Sequence, residues 1–70
     1  MFYVTQDFKH TQREHIEAHA RRDDAYRSVG EHAATLQRHG FTIAWWPGEP
    51  SFVATAPNSK ASVAIYVEEG

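Results

Sequence analysis

The stretch FTIAWWPGEPSFVATAPNSKASVAIYV, residues 41–67, decides the fold because it contains three strand-like segments separated by two turns. The turns PGEP and PNSK are rich in the residue types that favour turns, and the segments around them are rich in β-branched and aromatic residues. Strands at 41–46, 51–56 and 61–67 therefore predict a three-stranded antiparallel meander.

The two turns predict one consistent register, because directly opposed residues in an antiparallel pair lie on the same face. The first turn places Trp45 opposite Phe52, and the second places Phe52 opposite Ile65. Together they predict an apolar face made of Phe41, Ile43, Trp45, Phe52, Ala54, Val63, Ile65 and Val67. This face is expected to pack on a helix.

A helix is expected upstream of the meander, over residues 12–39. Thr11 and Glu14 match a capping box at its start, and Gly40 follows its last turn. Its C-terminal half carries an apolar stripe at three- and four-residue spacing. The members of that stripe are Tyr26, Val29, Ala33 and Leu36. The sequence thus predicts an α+β domain spanning residues 1–70, with an N-terminal helix on a meander and a short additional strand at residues 1–5.

The length of this helix creates a difficulty. At 1.5 Å per residue it would measure ~42 Å, whereas a 70-residue domain has a radius of gyration of only ~11 Å. Either the helix breaks near Gly30, where Ser28 and Glu31 form a second possible capping box, or its polar N-terminal half projects towards a partner.

The opposite face of the meander carries the second tryptophan, Trp46, with Tyr66 nearby. Small residues surround them, and none of the residues on this face is charged. The predicted partner-binding residues are Trp46, Tyr66, Ser51, Val53, Ala44 and Ala64. Two large amphipathic rings beside small uncharged residues are typical of an interface core. The alternatives are a face left in water and a face covered by the N-terminal segment.

Five histidines suggest metal binding, and HIEAH places His15 and His19 four residues apart, on one face of the expected helix. That spacing can hold zinc. Glu17 lies on another helical face, so the motif is not that of the metalloproteases, and a third protein ligand is lacking. Solvated helix histidines are the simpler interpretation, and no cofactor is expected. A histidine cluster would make binding depend on pH near 6.5.

Nucleic-acid binding is a further alternative, because exposed rings on a sheet can stack bases. The basic candidates are Arg13, Arg21, Arg22 and Arg27. Acidic residues alternate with them, and residues 41–70 carry Lys60 as their one cation. Phosphate binding depends on clustered Lys and Arg, so nucleic acid is not favoured as a partner.

Composition narrows the remaining function classes. The 70 residues have a net charge of −2 and contain no cysteine, which fits a reducing cytoplasm. No apolar run approaches the ~20 residues of a membrane span, so no membrane partner is expected. Neither a nucleophile elbow nor a glycine-rich phosphate loop is present, and an enzyme is not expected.

These observations predict a small non-enzymatic protein-recognition module. It would act as a homodimer, or as an inhibitor or adaptor that docks on a larger protein. Its size and mild acidity suit an accessory protein of a bacterium or bacteriophage.

Overall fold

Two strands come before the helix in the computed structural model, which describes residues 1–8 and 12–70. The elements are β1 Phe2–Phe8, β2 Gln12–His19, α1 Arg22–Arg38, β3 Thr42–Trp45, β4 Phe52–Thr55 and β5 Ser62–Glu69. The expected α+β class is confirmed. The sheet has five strands, however, where the sequence predicted a three-stranded meander with a short additional strand.

The strands form one antiparallel sheet in the order β2-β1-β5-β4-β3. Both predicted hairpin registers are present, since Trp45 pairs with Phe52 and Phe52 pairs with Ile65. The N-terminal strand is longer than expected and lies in the sheet between β2 and β5. It does not cover the open face, which is the face of the sheet that points away from α1. At its end the Met1 ammonium donates to the Gly70 carbonyl at 3.2 Å, and the Gly70 N–H donates to the Met1 carbonyl at 3.0 Å.

The prediction of a helix from residue 12 is wrong. Residues 12–19 form β2, and Glu14 of the expected capping box pairs with Gln6 of β1. Thr11, the other half of that box, lies outside the described residues. Because residues 12–19 form a strand, the expected excess length of the helix disappears: α1 has 17 residues and spans only about 25 Å.

The helix is continuous through Gly30, so neither the expected break nor the second capping box forms there. The Ser28 hydroxyl instead donates to Glu17 of β2. The end of the helix agrees with the prediction: Gly40 has a φ of 91°, and the Phe41 N–H donates to the Leu36 carbonyl at 3.0 Å.

The core lies between α1 and one face of the sheet. Its buried residues are Val4, Ala25, Val29, Ala33, Phe52, Ala54, Val63 and Ile65. Phe2, Ile16, Leu36, Phe41, Ile43 and Val67 pack around it and are partly buried. The predicted apolar face is therefore present, and β1 adds Val4 to it.

Trp45 is the exception. Its side chain lies on the predicted face and meets the Phe52 ring edge to face at 5.2 Å, yet 51% of it is exposed. Because β3 is the last strand of the sheet, Trp45 has a paired neighbour on one side only. The prediction that it fills the core is therefore wrong.

Candidate functional site

An open pocket with a volume of about 510 Å³ lies at the end of the sheet where the β3–β4 turn approaches the last residues of β5. We call it the aromatic concavity. Its lining residues are Tyr26, Trp46, Gly48, Glu49, Pro50, Ser51, Phe52, Val53, Ala64, Ile65, Tyr66 and Val67. Glu49 is the one charged residue among them.

The concavity exists because β5 is longer than β4. Pairing between these strands ends at Phe52 opposite Ile65, whereas β5 continues to Glu69 beside β1. The turn that precedes β4 therefore leaves a step along the edge of β5. Gly48 shapes this turn with a φ of 79°, a conformation that favours glycine.

Three aromatic side chains, each with an N–H or O–H group on its ring, border this step. Trp46 is 63% exposed and Tyr26 is 38% exposed, while Tyr66 is half-buried. The Tyr66 hydroxyl donates to Oδ2 of Asp7 at 3.4 Å. Burial raises the pKa of Tyr66, and the negative charges of Glu68 and Asp7 raise it further. The phenol therefore stays protonated at neutral pH and remains a hydrogen-bond donor.

Most of the predicted partner-binding residues meet here. Trp46, Ser51, Val53, Ala64 and Tyr66 all line the concavity. Ala44 does not, because it lies further along β3. Sequence reasoning assigned Tyr26 to the helix stripe and missed it as a lining residue. Its place at the N-terminal end of that stripe, three residues before Val29, is the one signal of its position.

The His15–His19 pair considered for metal binding is not brought together. His15 and His19 lie on a strand, and the irregular pairing between them directs them to opposite faces of the sheet. His15 stacks on Tyr3 at 4.4 Å on the open face. His19 faces the helix and contacts Glu17. Within the described residues, no group of three or more His, Asp or Glu side chains is arranged to hold a metal ion.

Glu17 instead forms a polar cluster between β2 and α1, which the sequence did not reveal. The Ser28 hydroxyl donates to its carboxylate at 2.5 Å, and Nε2 of His19 and His32 lies 2.7 and 2.5 Å from carboxylate oxygens. The Ser28 hydrogen bond is the largest influence on Glu17 and, with the histidine contacts, lowers its pKa from 4.5 to about 2, although burial opposes the shift. This cluster fastens β2 to the helix.

Of the four arginines considered for nucleic acid, three lie at or near the start of α1, and the fourth, Arg13, lies on β2. Arg13 near the start of β2 binds Glu68 at 3.1 Å, and Arg22 beyond its end lies over the Phe2 ring at 5.6 Å. Six strand residues, 14–19, lie between the two, and at ~3.3 Å each they separate Arg13 from the end of β2 by roughly 20 Å. Arg27 pairs with Asp24 on the helix, and Arg21 precedes the helix at an exposed position.

Comparison with known proteins identifies no relative: no family model, no curated protein and no solved structure matches this chain. Within residues 1–8 and 12–70, no helix combines the length and apolar character that crossing a bilayer requires. The geometry of the described residues therefore carries the functional argument.

Proposed function

We propose that this protein is a small non-enzymatic recognition module of the cytoplasm that binds another protein through the aromatic concavity. The observation that carries the proposal is the grouping of Trp46, Tyr66 and Tyr26 around an open concave surface. Tryptophan and tyrosine are the residues most enriched at the energetic centres of protein interfaces.

The composition of the concavity supports a protein partner. Its lining includes the apolar residues Phe52, Val53, Ala64 and Ile65, and Trp46, Ser51 and Tyr66 contribute polar atoms. An apolar centre with a polar rim is the usual plan of an interface. Glu49 is the one charged residue among the described residues that line it, so the surface does not favour a phosphate backbone.

The size of the concavity supports an occupant of a few side chains. A concave space of about 510 Å³ is of the size that receives a few side chains, and it opens at the end of the sheet. An apolar or aromatic side chain from a loop or helix of a larger protein would lie between Trp46 and Tyr66. The protein would then act as an inhibitor or adaptor whose effect follows from occupying the partner.

Binding can be tested by immobilising the parent chain and comparing the proteins that it retains with those retained by Trp46→Ala. Because truncating an interface tryptophan typically costs about 2 kcal/mol or more, we expect the variant to bind the purified partner roughly 30-fold more weakly. Trp46 is exposed, so the substitution should leave the fold intact, which circular dichroism can verify.

The matched control is Trp45→Ala, the neighbouring exposed tryptophan on the opposite face. It should retain the partner within about threefold of the parent, since Trp45 does not line the concavity. A partner that binds Trp46→Ala and Tyr66→Ala as tightly as the parent would refute the proposal.

A further inference from the structure

The outer edge of β3 presents unpaired backbone groups. The Trp46 N–H donates to the Ser51 carbonyl of the neighbouring strand at 2.9 Å. Residues along an antiparallel strand direct their backbone groups alternately to either side. Ala44, two residues before Trp46, therefore also faces β4, whereas Ile43 and Trp45 direct their N–H and C=O groups away from the sheet.

This edge lacks the usual protection against pairing. Residues 41–46 include no charged side chain, and the pairing of β3 with β4 shows no bulge. Natural sheets commonly protect an edge with charges, proline, a bulge or a covering element. The first proline follows β3, at Pro47. The edge is therefore suited to receive another strand.

We infer that β3 pairs antiparallel with β3 of a second copy of this chain, around a two-fold axis at Ala44. Such an axis keeps both helices on the same side of a continuous sheet. Opposed residues of the two copies must then share a face. Ile43 consequently lies opposite Trp45 of the other copy, and Ala44 lies opposite its own equivalent.

The backbone favours this register over its neighbour. Ile43 and Trp45 are the residues with outward-facing groups, so each pair of them exchanges both backbone hydrogen bonds. A register centred on Ile43 would need the backbone of Phe41, whose N–H already donates to Leu36. The pair at the axis would be the close, non-hydrogen-bonded type, with Cα atoms about 4.5 Å apart, which suits alanine.

A second copy also fits the side chains. Trp45 would pack beside Ile43 of the other copy and lose part of its 51% exposure. The contact brings no like charges together, because this segment has none. A four-residue strand buries a small area, so the association should be reversible and depend on concentration.

This inference does not depend on the proposed function, because the contact uses the backbone edge of β3 and not the concavity. Trp46 borders both surfaces. The discriminating positions are therefore Ala44, which does not line the concavity, and Tyr66, which lies two strands away from the edge.

The test is a charge pair at the axis, measured by sedimentation velocity over a range of concentrations. Ala44→Lys and Ala44→Glu each place like charges across the axis, so each should weaken self-association about tenfold or more. Mixing the two variants in equal amounts should restore the dimer. Ala44 is exposed, and circular dichroism can verify that both variants fold.

The matched control is Ala18→Lys, an exposed alanine on the opposite edge strand, which should associate as the parent does. A parent that stays monomeric to about 1 mM would overturn the inference. So would single variants that dimerise as the parent does, or a mixture that does not recover.

Hydrogen exchange of the parent provides a test that needs no variant. Protection of the Ile43 and Trp45 amides should rise with protein concentration, while the Trp46 amide, already bonded to Ser51, should not change. A dimer that leaves the Ile43 and Trp45 amides unprotected and is lost in Tyr66→Ala would overturn β3 pairing and place the contact in the concavity.

Discussion

The two outer strands of the sheet differ in almost every respect that governs strand pairing. β2 has eight residues, carries charged side chains along its length, has an irregularity in its pairing with β1, and is fastened to α1 through Glu17. β3 has four residues, no charge and two exposed tryptophans at its end. Charges and bulges discourage the pairing of a further strand. We therefore call the outer edge of β2 the closed edge and the outer edge of β3 the open edge.

Under the proposed function, this difference would separate the residues that stabilise the fold from those that bind a partner. The closed edge uses its polar side chains for contacts inside the molecule, with α1 and with Glu68 of β5. The open edge and the adjoining concavity leave their largest apolar side chains in solvent. The following changes test that division, in order of decreasing effect.

The largest effect is expected from Phe52→Ala, beneath the open edge. Phe52 is 2% exposed, so its loss should lower the free energy of unfolding by about 3–5 kcal/mol. Trp45→Ala, which removes the half-exposed ring that meets Phe52 edge to face, should cost only about 1–2 kcal/mol. Urea unfolding at low protein concentration measures both values. Equal costs would show that Trp45 belongs to the core after all.

At the closed edge, Glu17→Gln should lower the free energy of unfolding by about 1–3 kcal/mol, because a charged acceptor of hydrogen bonds from Ser28, His19 and His32 is lost. Amide exchange in β2 should accelerate. The matched control is Glu14→Gln, an exposed position on the same strand, which should change stability by no more than about 0.5 kcal/mol. Similar losses of stability in both variants would contradict the conclusion that the Glu17 cluster holds β2 against α1.

The connection between α1 and β3 depends on Gly40. Its φ is 91°, and a Cβ there would lie 3.3 Å from Cγ of Pro57. Gly40→Ala should therefore cost about 1–2 kcal/mol in thermal or urea unfolding. Gly30→Ala is the control, since a Cβ at that helical position meets no atom within 4 Å and should stabilise the helix by up to about 1 kcal/mol. A neutral Gly40→Ala would contradict the conformation described for this connection.

The pH dependence of stability tests the same Glu17 carboxylate at the closed edge. The pKa of Glu17 falls from 4.5 to about 2 on folding, so its carboxylate stabilises the fold above pH 4.5. That contribution is lost progressively as the pH falls through 4.5 towards 2. The difference in unfolding free energy between the parent and Glu17→Gln should shrink over this range. A difference that stays constant from pH 6 to 3 would contradict the assigned shift.

The sequence predicted residues 41–67, which include the open edge, better than residues 12–19, which form the closed edge. Between residues 41 and 67 the turns are short, and turn chemistry and alternation agree, so both registers were correct. Residues 12–19 contain good helix formers and a partial capping box. Their strand depends on pairing with β1, a contact between segments that local propensity does not represent.

The candidate site also depends on how distant segments pair, which local sequence patterns do not represent. Alternation placed Trp46 and Tyr66 on the open face, but it does not state how far β5 extends beyond β4, which is what creates the concavity. It likewise placed Trp45 on the correct face without showing that the sheet ends at β3. The excessive length of the expected helix was the one sequence-level sign that residues 12–19 adopt another structure.

The meeting of Met1 and Gly70 determines where attached groups leave the molecule. Gly70 follows Val67, a lining residue of the concavity, by three residues, or about 10 Å of strand. An affinity handle or fluorophore joined at Met1 or Gly70 would therefore emerge at the end of the sheet that carries the concavity and would hinder a protein bound there. An insertion in the turn at residues 57–60 would leave from the far end of the sheet, which makes it the better attachment point for every binding experiment described above.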